Sequence, residues 1–134
     1  MNFDKLNNLV SIPKKSEASK NVKKEYKAEI MELLNRSDYE NIIKDNKVVF
    51  VCFYATWCPP CRMLRPILEE YMENYPDNLI LTINTDEFKD IHKIYDIHNV
   101  PTILCFKDGN IEYTLDGYIE YEEIEEKYNE LNGN

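Results

Sequence analysis

The chain has 134 residues, 43% of them hydrophobic and 12% aromatic, and a formal net charge of −9. That length and apolar content suit one domain with a modest core and exclude a wholly disordered chain. No run of about 18 apolar residues occurs, which argues against a membrane-spanning helix.

Residues 1–27 hold seven Lys against three acids, including Lys14-Lys15, Lys20 and Lys23-Lys24. They show no hydrophobic period and read as a solvated N-terminal extension, with a targeting remnant or a basic docking arm as the alternatives. Residues 28–134, the expected domain, hold nine Lys and Arg against 22 acids. A body that acidic repels phosphate backbones, so nucleic acid is discounted as a partner.

From residue 28 strands and helices alternate. Ala28–Leu34 reads as a weak strand. Ser37-Asp38-Tyr39-Glu40 has the form of a capping box opening a helix to about Lys44. Val48–Ala55 is almost uniformly apolar and rich in β-branched and aromatic residues, the pattern of a central strand buried on both faces. A helix follows from about Pro59 to Tyr75, with Leu64, Ile67, Leu68, Tyr71 and Met72 on one face and a kink expected at Pro66. Leu79–Ile83 reads as a second buried strand and Phe88–Tyr95 as a short helix. Thr102–Phe106 and Ile111–Leu115 form a hairpin about Asp108-Gly109. A last amphipathic helix spans about Glu120 to Leu131, with Glu120, Glu122, Glu123, Glu125 and Glu126 on its wet face. The order predicts an α/β fold with a mixed central sheet of about five strands and helices on both faces. Parallel pairing is expected between strands separated by helices, and antiparallel pairing in the closing hairpin.

The four cysteines are Cys52, Cys58, Cys61 and Cys105. They are too few for a disulfide-stapled scaffold. A zinc site would need two ligands beyond the close pair, and the spacing of His92, His98 and the other cysteines offers none, so no metal is expected. Cys58 and Cys61 follow the most apolar strand where a helix begins. Free amides and the positive end of the helix dipole favour an anion there, so the first thiol should ionise more easily than a free one. Two intervening residues let the second sulfur reach the first, so Cys58 can attack a disulfide and Cys61 can resolve the mixed disulfide. Pro59 and Pro60 fit the first helical turn, where amides lack partners, and stiffen the loop. Cys52 and Cys105, inside predicted strands, read as small hydrophobes.

Trp57-Cys58-Pro59-Pro60-Cys61, Pro66, Val100-Pro101-Thr102, Phe106-Lys107-Asp108-Gly109 and Gly117 occur in the order in which the thioredoxin family carries its Trp-Cys-x-x-Cys, helix-kinking proline, cis-proline, turn and glycine. The chain resembles that family from about Ala28 to Leu131. The Cys-Pro-Pro-Cys variant is similar to that of tryparedoxins, nucleoredoxins and some periplasmic reductases. Those usually carry insertions, whereas here Cys61 and Pro101 lie 40 residues apart. The resemblance implies a thioredoxin fold with a cis bond before Pro101, beside the sulfurs. It also implies an exposed backbone edge at Val100 to which an extended substrate can pair, with Trp57, Pro59, Pro60, Asn99, Val100 and Pro101 as the substrate-binding surface.

Two departures from the family stand out. The Asp that relatives bury six residues before the first cysteine, and the Lys beside it, correspond here to Cys52 and Thr82. With Cys52 a poor base, resolution by Cys61 is expected to be slow near neutral pH and to speed up as pH rises. Asn99 replaces a small residue, making the groove beside Pro101 more polar and narrower. His98, three residues before Pro101, is a candidate for proton shuttling or substrate contact as well as a solvated surface residue.

By that resemblance the expected activity is reduction of protein disulfides by dithiol–disulfide exchange, without a cofactor, in a cytoplasmic monomer recharged by a flavin-dependent thioredoxin reductase. An oxidase or isomerase of a secretory or organellar compartment, and a redox or docking subunit of a larger assembly, are the competing readings. A glutathione-dependent enzyme fits less well, because no basic cluster flanks Pro101.

Overall fold

The computed structural model describes residues 29–132, so the basic segment 1–27 lies outside the described residues. The strands are β1 (Met31–Glu32), β2 (Val48–Tyr54), β3 (Leu79–Asn84), β4 (Thr102–Lys107) and β5 (Asn110–Asp116). The helices are α1 (Tyr39–Asp45), α2 (Pro59–Asn74), α3 (Lys89–Ile94) and α4 (Tyr121–Leu131), with a 3-10 turn over Arg36–Asp38 before α1. One five-stranded sheet runs in the order β1-β3-β2-β4-β5. β1, β3 and β2 are parallel, and β4 is antiparallel to both β2 and β5.

The alternation of β2 builds both cores. Val48, Phe50 and Cys52 pack with Leu64, Leu68, Tyr71 and Met72 of α2 and with Ile124 and Leu131 of α4. Val49, Val51 and Phe53 point the other way, onto Tyr39 and Ile43 of α1 and Ile91 of α3. A strand clothed on both faces must be apolar at every position, which is why β2 reads as an unbroken hydrophobic run. The hairpin turn holds Asp108 at φ 51° and Gly109 at φ 85°. Two successive positive φ values match the twist of the strands, and Asp-Gly tolerates them.

Three local expectations are corrected. The capping box does not form: Asp38, not Ser37, precedes α1, and it makes no side-chain cap bond. Glu40 is instead held by the Arg36 guanidinium at 3.0 Å, which takes the carboxylate away from the backbone. β1 shortens to two residues. β4, although it follows a helix, is antiparallel to β2. The six residues of α3 rise only about 9 Å, against about 20 Å for a six-residue strand, so the helix does not carry the chain back across the sheet. β4 therefore enters at the carboxyl end of β2, with Thr102 opposite Phe53. That reversal brings residues 99–101 beside the start of α2.

Candidate active site

Cys58 is the N-cap of α2, with extended backbone at φ −97° and ψ 110°, and Pro59 and Pro60 occupy the first helical turn. An amide at either proline position would have had no partner inside the helix, so the ring costs no hydrogen bond. Cys58 Sγ accepts from the Cys61 N–H at 3.3 Å, and Cys61 Sγ lies 2.7 Å from Cys58 Sγ. Both cysteines are free thiols. The sulfur of Cys58 thus sits where the amides and dipole of a 16-residue helix converge, a position that stabilises negative charge.

The opposite wall comes from the loop before β4. The Val100–Pro101 peptide bond is cis. The Cys58 thiol donates to the Val100 carbonyl at 3.6 Å, and Val100 packs with Tyr54 against Ala55, Cys58 and Cys61. Thr102 Oγ1 donates to the Asn99 carbonyl at 2.7 Å and fastens that loop. Cys58 and Cys61 are buried, yet the Trp57 side chain is 67% exposed beside them. Pro59, Pro60 and Asn99 are exposed, Val100 half-buried and Pro101 buried. Of the residues expected to contact substrate, Val100 packs against both sulfurs, and Pro59 and Pro60 follow Cys58 in the first turn of α2. His98 stands apart, paired with Asp96 at 2.7 Å on the surface.

Behind the cysteine pair lies a cavity of about 350 Å³ whose walls include Cys52, Tyr54, Cys61, Arg62, Arg65 and Thr82. Burial, with the Cys58 contact second, pushes the Cys61 thiol up to about 12. Burial likewise pushes Cys52 up to about 12, with the charge of Cys61 adding to it. Both shifts follow from removing a thiolate from water. Cys52 and Thr82 are neighbours in register on adjacent parallel strands.

One group at this site escaped the sequence reading. Glu32 of β1 pairs in register with Thr82 and extends the same rung of the sheet. Its carboxylate accepts from Thr82 Oγ1 at 2.6 Å and from the Tyr54 hydroxyl at 2.7 Å. An acid inside an otherwise apolar edge strand was the available signal.

The family model described as Thioredoxin matches residues 29–130. The thioredoxin of Mycoplasmoides gallisepticum is 33% identical over 94 residues, 70% of this chain and 94% of that protein. The crystal structure of mitochondrial thioredoxin 3 from Saccharomyces cerevisiae, in its oxidised form, superposes with a TM-score of 0.70 at 33% identity, covering 75% of this chain and 94% of that one. An N21Q mutant thioredoxin from Halobacterium salinarum gives 0.73 at 28% identity, covering 78% and 91%.

Proposed function

The chain belongs to the thioredoxin family and is a thiol–disulfide oxidoreductase that reduces protein disulfides, and from that premise we propose the roles of its residues. Cys58 is the attacking nucleophile and Cys61 the resolving thiol. The observation that carries this assignment is the placement of Cys58 Sγ as the N-cap of α2, accepting the Cys61 amide. Cys61 sits one turn further in, with its thiol pushed up to about 12 by burial and the Cys58 contact. The thiolate attacks one sulfur of the substrate disulfide, forming the Cys58–substrate bond and releasing the other sulfur as a thiolate. Cys61 then loses its proton and attacks Cys58 Sγ. The Cys58–Cys61 disulfide forms, the second substrate sulfur leaves, and the substrate has gained two electrons. Trp57, Pro59, Pro60, Asn99, Val100 and Pro101 form the face that the polypeptide substrate covers, its extended backbone pairing at Val100.

Regeneration requires a dithiol donor, and a thioredoxin reductase is the partner this reading implies. Among the described residues no helix is long and apolar enough to cross a membrane. The compartment this reading favours is the cytoplasm, which keeps thiols reduced, and the yeast relative of solved structure is mitochondrial. The family match starting at residue 29 supports reading 1–27 as an extension to a domain at 28–134 that the exchange reaction does not use.

The assignment is tested by insulin reduction in dithiothreitol. Cys58→Ser should abolish turnover, while Cys61→Ser, mixed with a disulfide substrate without dithiothreitol, should accumulate mixed disulfides on a non-reducing gel. Trapping by Cys58→Ser and not by Cys61→Ser would reverse the two roles.

A further inference from the structure

Resolution requires Cys61 to surrender a proton inside a buried site, and the side chain beside it on the neighbouring strand is Cys52. Cys52 is itself a buried thiol pushed up to about 12 by that burial, and takes up no proton from Cys61. The sheet places a different acid on the same rung. Glu32 pairs with Thr82, and Thr82 with Cys52, in continuous register across three parallel strands. Both hydroxyls that hold the Glu32 carboxylate, Thr82 at 2.6 Å and Tyr54 at 2.7 Å, belong to residues lining the cavity into which Cys61 also opens. At about 350 Å³ that cavity has room for several waters, each needing about 30 Å³ of liquid volume.

We propose that Glu32, half-buried on the edge strand, takes the proton that Cys61 releases, acting through the Tyr54 hydroxyl and water in the cavity. The proposal rests on Cys61 being the resolving thiol. In the step, the Cys61 S–H bond breaks and its proton passes to water, the water gives a proton to the Tyr54 oxygen, and the Tyr54 hydroxyl proton moves to Glu32. The Cys61 sulfur pair then forms the bond to Cys58 Sγ, and the substrate sulfur leaves with the pair of the broken disulfide. Glu32 acts through other groups and positions the proton path without touching the reacting sulfurs. The groups that face it are Tyr54 and Cys52 from β2 and Thr82 from β3. Arg62 and Arg65 of α2 line the same cavity, Arg62 acting on Cys61 through its charge, and Glu87, beyond β3, acts on Tyr54 in the same way. Arg65 is engaged by Glu69 at 3.1 Å, which leaves Glu32 as the carboxylate bonded to the cavity hydroxyls.

The test is stopped-flow mixing of the reduced full chain with dithiobis(nitrobenzoate) from pH 6 to 9. The first thionitrobenzoate released reports attack by Cys58, and the second reports resolution by Cys61. With Glu32 as the acceptor, wild-type resolution should change little across this range, in place of the slow, pH-driven resolution expected from Cys52 alone. Glu32→Gln should slow the second phase by roughly 100-fold at pH 7, the low end of a general-base contribution, and make it climb with pH toward wild type. Glu32→Asp should retain the shallow profile, and Cys52→Asp added to Glu32→Gln should restore it. A Glu32→Gln profile that superposes on wild type overturns the proposal. If Glu32→Gln does not fold, Tyr54→Phe carries the test, and unchanged resolution there overturns the relay. Cys61→Ser must lose the second phase: if it does, a failure of Glu32→Gln to alter the profile sinks only the relay. If the second phase persists, the assignment of Cys61 falls, and the relay with it.

Discussion

The Cys58 thiol donates to the carbonyl of Val100 at 3.6 Å, across 42 positions of sequence. Two chain segments that never pair as strands are thereby held face to face, the start of α2 and the loop before β4. Trp57, next to Cys58 in sequence, is 67% exposed, and the proposed function places it on the face that the substrate covers. An indole left in water beside a nucleophile has apolar area to contribute only when something covers it.

Trp57→Ala should therefore weaken protein substrates selectively. KM for insulin should rise by roughly 5–30-fold, the range expected for an interface anchor, while reaction with a small aromatic disulfide changes less than about twofold. Steady-state insulin reduction alongside the small-disulfide rate checks this. Equal losses on both would mean that Trp57 orders the active-site loop instead of contacting the substrate.

The sulfurs were legible in the sequence because the features that define them are local. A strand, a Trp-Cys-Pro-Pro-Cys turn and a helix follow one another within a few residues, and Val100-Pro101-Thr102 carries its own signature. Glu32 was not legible, because its role depends on register. It meets Thr82 and Tyr54 only after β1 pairs with β3, residues 50 and 22 positions away. The direction of β4 was missed for a related reason. Hydrophobic period reveals a strand but not its direction, and here direction hinges on how little of the sheet the short α3 spans. The capping box failed to form because Arg36, a residue outside the four-residue motif, captures Glu40.

Alkaline stability follows from the buried thiols. Burial pushes Cys52, Cys61 and Cys105 each up to about 12 in the folded chain. An unfolded cysteine titrates near about 8.5. Above that pH the unfolded chain sheds protons that the folded chain keeps, so stability present below about 8.5 is lost progressively toward 12. The reduced protein should melt at a constant temperature from pH 6 to 8 and then fall, each fully buried thiol contributing about 1.4 kcal/mol per pH unit. Cys105→Ala should shallow the alkaline slope whatever it does to the plateau. Melting curves read by circular dichroism between pH 6 and 10.5 decide the matter, and a slope identical in wild type and Cys105→Ala would refute the thiol account.

The core between the sheet and α2 and α4 carries a polar pair remote from the cysteine pair. The Tyr71 hydroxyl donates to Asn78 Oδ1 at 2.5 Å, and both residues are fully buried. The Tyr71 ring stacks on Phe50 and Tyr75, so Tyr71→Phe keeps its packing and removes only the donor. Asn78 still donates to the Leu79 carbonyl at 3.0 Å, but its own oxygen loses the Tyr71 hydroxyl. A buried acceptor deprived of its donor costs about 1–3 kcal/mol. Urea denaturation should show Tyr71→Phe less stable by that amount with an unchanged slope. The pair lies at the end of α2 remote from Cys58, so insulin reduction at 25 °C should match wild type. A variant as stable as wild type would mean that water reaches the Asn78 oxygen and replaces the tyrosine hydroxyl. A variant that melts normally yet reduces insulin slowly would mean instead that α2 transmits the packing of its carboxyl end to the cysteine pair.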